Sequence, residues 1–483
     1  MFTCDFSKRG EKSLYEFLIE TVKAKITNGS LKANEKLPSK RALASHLGIS
    51  VITVQNAYAE LISEGYIYSI EKKGFFVTEL PFDSPAEKSR SKEKSRAKKS
   101  AEKNSSAEIF ADLASNSIAQ EKFPFSVWSH LTRKILNSPH ENILKSQPFE
   151  GALVLREAIA AHLKSFRNMD VSAEQIFVGA GTEVLYSFIV RFLGEEKIFA
   201  VENPGYKKIA GVLEMNGAKI ARTAIDENGM EIFALKKNGA SVVHVTPNHH
   251  FPTGVVMTVK RRMEFLAWLK EDENRFIIED DYDSEFRFSG KPIAPLQSSA
   301  EGQNVIYVNT FSKTLSPSFR IGFLVLPQKL VSPFKEKFRF CSCTVGALEQ
   351  YVLASFLSEG FYAKHIARMK NYYRNIRNEL AQQIERQNEN SLLKISEENS
   401  GLHFLLTIKS NLAEKKIKSN LEKNGIKISL LSDFFSADDE KNSFADEKKI
   451  PPEKTFVVNY SGVEKQKIPQ IVSRILQSVQ QDF

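Results

Sequence analysis

Residues 81–108 carry almost no large apolar side chain, and this break constrains the architecture of the chain more than any other stretch. It opens as Pro81-Phe-Asp-Ser-Pro-Ala and continues as a mixture of Lys, Ser, Glu, Arg and Ala that ends near Ser106. Such a segment cannot bury enough surface to offset the entropy of ordering it, so a flexible linker is expected. Its basic balance suits a nearby polyanion, and a plain solvated spacer fits the same composition. The 483 residues already imply more than one domain. The break places the first at 1–80 and the second at 109–483.

Composition narrows the class without naming a function. A net charge of +9 permits a polyanionic partner but does not identify one. No stretch approaches the roughly 20 apolar residues of a membrane span, and the N-terminus lacks an apolar signal core. Cys4, Cys341 and Cys343 make neither a disulfide framework nor a zinc-ligand spacing. A protein of the reducing cytoplasm, without membrane attachment, is expected.

In residues 12–27, Leu14, Phe17, Leu18, Val22 and Ile26 recur at helical spacing, and Gly29 follows as a stop. Ser39 can cap a short helix with Leu43, Ala44 and Leu47 inward, and Gly48 forms the turn. Ser50 caps a second helix over Val51–Glu64, whose apolar face is Val54, Ala57, Tyr58 and Leu61. Two short helices joined by a glycine turn make a helix-turn-helix, with the start of the second aimed at a major groove. Gly65–Val77 alternates like a hairpin with Lys72, Lys73 and Gly74 at its tip, a basic wing.

Beyond the linker, apolar strand-like runs alternate with amphipathic helices, the pattern of an α/β domain. The expected strands start at Gln175, Lys197, Ser241, Arg275, Val305 and Gly322. Long helices follow over Leu348–Glu359 and Ala363–Arg386, then a small α+β subdomain containing Gly401–Ile408 and Thr455–Asn459. Residues 433–454 read as a mobile surface insertion.

Several strand ends carry chemistry. Thr310, Ser312 and Arg320 suit an anion, while Lys313, if partly desolvated, could lose its proton and attack a carbonyl. Alone, Ser312-Lys313-Thr314 also fits a solvated surface lysine. Gly179-Ala-Gly-Thr-Glu183 opens a helix whose first N–H groups, with the Thr182 hydroxyl, can hold an anion. Tyr206 can stack on a planar ring. Asp280, in Ile277-Ile-Glu-Asp-Asp-Tyr-Asp283, falls at the ligand-bearing edge of a parallel sheet. That acidic cluster also fits a metal site or a solvated loop.

The N-terminal pattern, from Leu37-Pro-Ser-x-Arg41 through Leu47-Gly-x-Ser50-x-x-Thr53-Val to Gly65-Tyr-Ile67, resembles the GntR superfamily. The resemblance implies a double-stranded DNA operator contacted by Ser39, Arg41, Ser50, Thr53 and the wing lysines Lys72 and Lys73. Val51 stands where these proteins usually carry arginine. The second segment resembles fold-type I aminotransferases through Gly-x-Gly-Thr-Glu, Asn-Pro-x-Tyr, Pro-Thr-Gly, Asp-x-Tyr and Ser-Lys followed by Arg. That likeness implies pyridoxal 5'-phosphate (PLP) as cofactor, with Lys313 holding the internal aldimine and Asp280 the pyridine nitrogen. It further implies Tyr282 on the phenolic oxygen, Tyr206 stacked on the ring, and Gly181, Thr182, Thr310, Ser312 and Arg320 around the phosphate.

Joined, the two parts resemble MocR-type regulators, which implies a head-to-tail homodimer. Three departures from working transaminases matter. Phe251 replaces an asparagine that contacts the ring oxygen, and Lys145–Glu150 lacks a tyrosine that reaches the partner's phosphate. Phe456–Tyr460 lacks the arginine that grips a substrate carboxylate. A transcriptional regulator with PLP as effector, most similar to the subgroup controlling vitamin B6 synthesis or uptake, is expected rather than an enzyme. The alternatives are a regulator sensing an amine or amino acid through bound PLP, and a genuine aminotransferase.

Overall fold

Ser13, Ser39 and Ser50 each stop the chain in extended conformation and accept a backbone N–H three residues on, and each thereby starts a helix. The computed structural model describes residues 4, 6–10, 12–70, 73–79, 109–115, 117–137, 141–288, 293–300, 303–388, 391–397, 401–436 and 454–480. The expected linker, the tip residue Lys72 and most of the expected insertion lie outside them. The chain divides into two units, Met1–Ser105 and Ser106–Phe483.

In the first unit, α1 (Leu14–Thr27), α2 (Lys40–Leu47) and α3 (Val51–Ser63) precede an antiparallel hairpin of β2 (Ile67–Ile70) and β3 (Gly74–Val77). A short strand absent from the sequence reading, β1 (Lys36–Leu37), pairs with β3 and closes a three-stranded sheet. Gly48 ends α2 at φ +65°, a conformation that costs a residue with a Cβ, and so makes the sharp turn into α3. Leu18, Val22, Leu43, Val54, Ala57, Tyr58, Leu61 and Ile67 form the core. The result is a winged helix.

In the second unit, eight strands form one sheet. They are β4 (Ile176–Gly179), β5 (Ile198–Asn203), β6 (Lys219–Asp226), β7 (Gly229–Met230), β8 (Val242–Val245), β9 (Phe276–Asp280), β10 (Val305–Thr310) and β11 (Gly322–Val325). Their order is β4-β11-β10-β9-β8-β5-β6-β7, parallel except for β11 and β7. All six expected strands form. β6 went unread because Lys219-Ile-Ala-Arg-Thr-Ala-Ile-Asp, near the sheet edge, mixes charged and small residues with only partial burial.

The central strands are buried on both faces, which explains their nearly continuous apolar runs. Alternate residues serve opposite layers. Ile278, Ile306 and Val308 pack toward Tyr186, Ile189 and Leu213, while Ile277 and Val305 pack toward Phe265, Trp268 and Leu269. The four-stranded antiparallel sheet of the small C-terminal subdomain orders β12 (Leu393–Ser396), β13 (His403–Ile408), β15 (Thr455–Asn459) and β14 (Ser429–Leu430). Phe404, Leu406, Phe456 and Val458 pack in its helix-backed core, whereas Leu405 and Val457 cluster with Phe251 of the large sheet domain. Among the described residues no helix is long and apolar enough to cross a membrane.

Candidate functional site

The C-terminal ends of β4, β5, β8, β9 and β10 converge on a cavity of about 550 Å³, lined among others by Thr182, Tyr206, Asp280, Tyr282, Thr310, Ser312, Lys313 and Arg320. Gly181 touches the Arg320 side chain. Nine residues chosen from sequence, distributed over 140 positions from Gly181 to Arg320, are therefore brought to one place.

Asp280 ends β9 at 7% exposure. Its Oδ2 accepts a 2.8 Å hydrogen bond from the Tyr186 hydroxyl, which lies 2.9 Å from His244 Nε2. Its Oδ1 is buried and has no hydrogen-bond partner. An unpaired carboxylate oxygen at such a depth is costly, and a ligand N–H would satisfy it. Tyr186 and His244 were not found from sequence. Tyr186 is 94 residues from its partner, whereas the lone imidazole inside Val242-Val-His-Val245 was a legible signal.

Lys313 follows β10 and is half-buried. Loss of hydration pushes its ammonium pKa down to about 8, and the nearby Asp283 carboxylate offsets part of that shift. About a tenth of the amine is thus neutral at pH 7, far more than for an exposed lysine. Its condensation with an added aldehyde should accelerate about tenfold per pH unit at acid pH, then level off above about 8. Stopped-flow absorbance across that range checks this; a rate still climbing steeply to pH 10 would contradict the depressed value.

An anion cup lies at the start of α6 (Thr182–Leu193; α4 is Phe125–Leu136 and α5 Leu153–Arg167). Gly181 precedes it at φ +87°, and a Cβ there would fall 2.6 Å from Arg320 Nη2, so only glycine lets the guanidinium lie against the helix start. The Thr310 and Ser312 hydroxyls are 2.8 Å apart. Arg320 donates to Glu183 Oε2 at 2.9 Å, and Lys208 at the start of α7 (Lys207–Met215) pairs with the same carboxylate.

Tyr206 caps that helix, is 44% exposed, and meets Phe251 edge-on with ring centroids 5.6 Å apart. Phe434 meets Phe251 at 5.1 Å and, with Ser436, lines the cavity. The start of the expected surface insertion is thus part of the site, because β14 delivers it there; residues 437–453 lie outside the described ones. The Tyr282 hydroxyl lies 3.1 Å from His249 Nδ1, itself 2.8 Å from Asp283 Oδ2. Burial pushes the His403 imidazole well below its usual pKa, so it is neutral beside His249.

The unpaired Asp280 oxygen, the half-buried amine and the glycine-dependent anion cup fit the chemistry of a pyridine ring bearing an aldehyde and a phosphate. Among the described residues, the cavity's arginines are Arg222 and Arg320, both paired with glutamates.

In the winged helix, Arg41 is exposed on α2 and Lys73 at the hairpin. The oxygens of Ser39 and Ser50 accept backbone N–H groups at 3.2 and 3.0 Å. Each hydroxyl hydrogen can still be donated outward, although Ser50 and Thr53 share one contact of 2.8 Å. Val51 is 42% and Ile52 71% exposed at the start of α3.

Fold and site define a transcriptional regulator in which a winged helix is joined to an aminotransferase-like domain. Residues 14–77 match the bacterial regulatory proteins of the gntR family, and residues 108–434 match aminotransferase class I and II. The chain belongs to the MocR-type regulators of the GntR family. It is 32% identical to the uncharacterized HTH-type transcriptional regulator YdeL of Bacillus subtilis, covering 96% of each chain. Identity to the probable rhizopine catabolism regulatory protein MocR of Rhizobium meliloti is 30%, over 93% of this chain and 90% of that one. To the pyridoxine biosynthesis regulator PdxR of Corynebacterium glutamicum it is 28%, over 86% and 88%. The fold is shared with the multiple substrate aminotransferase of Thermococcus profundus at a TM-score of 0.66 and 23% identity, covering 80% of this chain and 94% of that one.

Proposed function

We propose that this regulator senses PLP itself and controls genes of vitamin B6 synthesis or uptake. The observation that carries the reading is the pairing, in one cavity, of the depressed-pKa amine of Lys313 with the unpaired buried oxygen of Asp280. PLP supplies an aldehyde and an electron-withdrawing ring. Lys313 would hold that aldehyde through its amine, which burial leaves partly neutral. Asp280 Oδ1 would accept the ring N–H, Tyr206 would cover the ring face, and the Tyr282 hydroxyl, once turned from His249, would serve the phenolic oxygen. Gly181, Thr182, Thr310, Ser312 and Arg320 would hold the phosphate.

Turnover is not its role. A transaminase must orient an amino-acid carboxylate as well as the phosphate; of the arginines lining the cavity among the described residues, Arg320 lies in the phosphate cup and Arg222 is paired with Glu214. The likeness to the Corynebacterium glutamicum regulator supports the vitamin B6 assignment. Titrating amino acids and polyamines into the PLP-loaded protein tests the assignment. Unchanged visible absorbance supports PLP-only sensing, a shift identifies an amine effector, and sustained keto-acid formation restores the enzyme.

The reading includes three parts, a winged helix at 1–80, a linker at 81–108 and a PLP domain at 109–483, in a cytoplasmic head-to-tail homodimer. Ser39, Arg41, Ser50, Thr53, Lys72 and Lys73 contact the operator. PLP regulates only if it favours one DNA-binding state over another. Arg41→Ala should weaken operator binding and reduce the salt slope by about 1. An unchanged gel-shift affinity over a salt series would remove Arg41 from the interface.

A further inference from the structure

Glu183 places a negative charge where the cofactor's phosphate would have to arrive. It is the second residue of α6, one position past the Gly181–Thr182 opening of the anion cup. Its Oε2 accepts from Arg320 Nη2 at 2.9 Å, and its Oε1 is paired with Lys208. The Lys208 contact above all, then the Arg320 charge, holds its carboxyl below the usual range, so it is ionised at neutral pH. The two cations of the cup therefore already hold an anion built into the chain.

We propose that Glu183 is an internal competitor for the ligand phosphate, displaced from Arg320 and Lys208 when PLP binds. This rests on the reading of the site as a PLP site. Aminotransferase chemistry benefits from a cofactor that never leaves, whereas a sensor must release its ligand when the supply falls. All three side chains are partly exposed, so each ion pair is weak and exchanges readily. Meanwhile the displaced carboxylate stays tethered to the helix start and repels the phosphate that replaced it. Affinity is lowered through the phosphate half of the ligand, leaving the Lys313 and Asp280 half untouched. The unpaired Asp280 Oδ1 in the same cavity is the independent sign that a ligand enters here.

The experiment titrates PLP, and separately pyridoxal, which lacks the phosphate, into the full-length apo protein and its Glu183→Gln variant. Visible absorbance is the readout. Glutamine keeps the size and an acceptor for Arg320 but removes the charge. The PLP Kd should fall about tenfold in the variant, while the pyridoxal Kd stays unchanged. Glu183→Ala should shift PLP in the same direction, with thermal melts confirming that each variant folds. An equal PLP Kd in wild type and both variants, or an equal shift for pyridoxal, overturns the role of Glu183. A wild-type protein that stays colourless with PLP overturns the cofactor reading first, and this proposal with it.

Discussion

Lys313→Ala is expected to abolish the visible absorbance of the PLP-loaded protein and to let PLP wash out on desalting. Burial has pushed the amine of this cavity-lining lysine down to a pKa of about 8. Lys207 and Lys208 also line the cavity, but both are exposed and Lys208 is paired with Glu183. Removing the covalent link should weaken apparent PLP affinity at least about a hundredfold, roughly 2.8 kcal/mol. The anion cup and Asp280 remain, so weak non-covalent binding should persist and be detectable by calorimetry. Stability should be unchanged or slightly raised, because a buried amine that has lost hydration is a liability to the fold. The DNA response to PLP should vanish while PLP-independent DNA binding persists. A variant that keeps the coloured band would place the reactive amine elsewhere.

Tyr58→Ala should unfold the DNA-binding unit. Tyr58 is fully buried in the small winged-helix core, meets Phe75 edge-on at 4.9 Å, and donates to the Pro38 carbonyl at 3.0 Å. Truncating a buried aromatic costs about 3–5 kcal/mol, and a domain of this size has about 3–10 kcal/mol in total. Operator binding should be lost and a calorimetric transition removed. PLP binding should survive, because Lys313 and its partners belong to the other unit with its own cores. Tyr58→Phe keeps the ring and loses one hydrogen bond, about 1 kcal/mol, and should still bind DNA. Equal loss of PLP binding in Tyr58→Ala would mean that the units do not fold independently.

Much of the architecture was legible because it depends on local rules. Serine caps, the Gly48 turn and 3.6-residue spacing announce α1 to α3, and continuous apolar runs announce β4, β5 and β8 to β11. β1 and β6 were not legible, since two residues or a mixed polar stretch become a strand only through their neighbours. That the chosen strand-end residues would line one cavity was legible because a parallel sheet gathers such ends at one edge. Tyr186 and Lys208 lie on helices instead. Their roles depend on which helix face meets which strand, a relation that no spacing encodes. Phe434 was misplaced for a related reason: it was grouped with the Asp-, Glu- and Lys-rich stretch that follows it, and only the 3-10 turn Leu431–Phe434 after β14 brings it to Phe251.

From its residues alone this chain is a winged helix followed by an aminotransferase-like α/β domain, because capping, periodicity and strand-end motifs are written into consecutive residues. Packing over long separations made the remaining decisions. It left one oxygen of Asp280 unpaired by engaging the other with Tyr186, lowered the pKa of Lys313 by removing water, and set Glu183 between Arg320 and Lys208. Each depends on which groups lose solvent together, and solvent loss is a property of the folded chain.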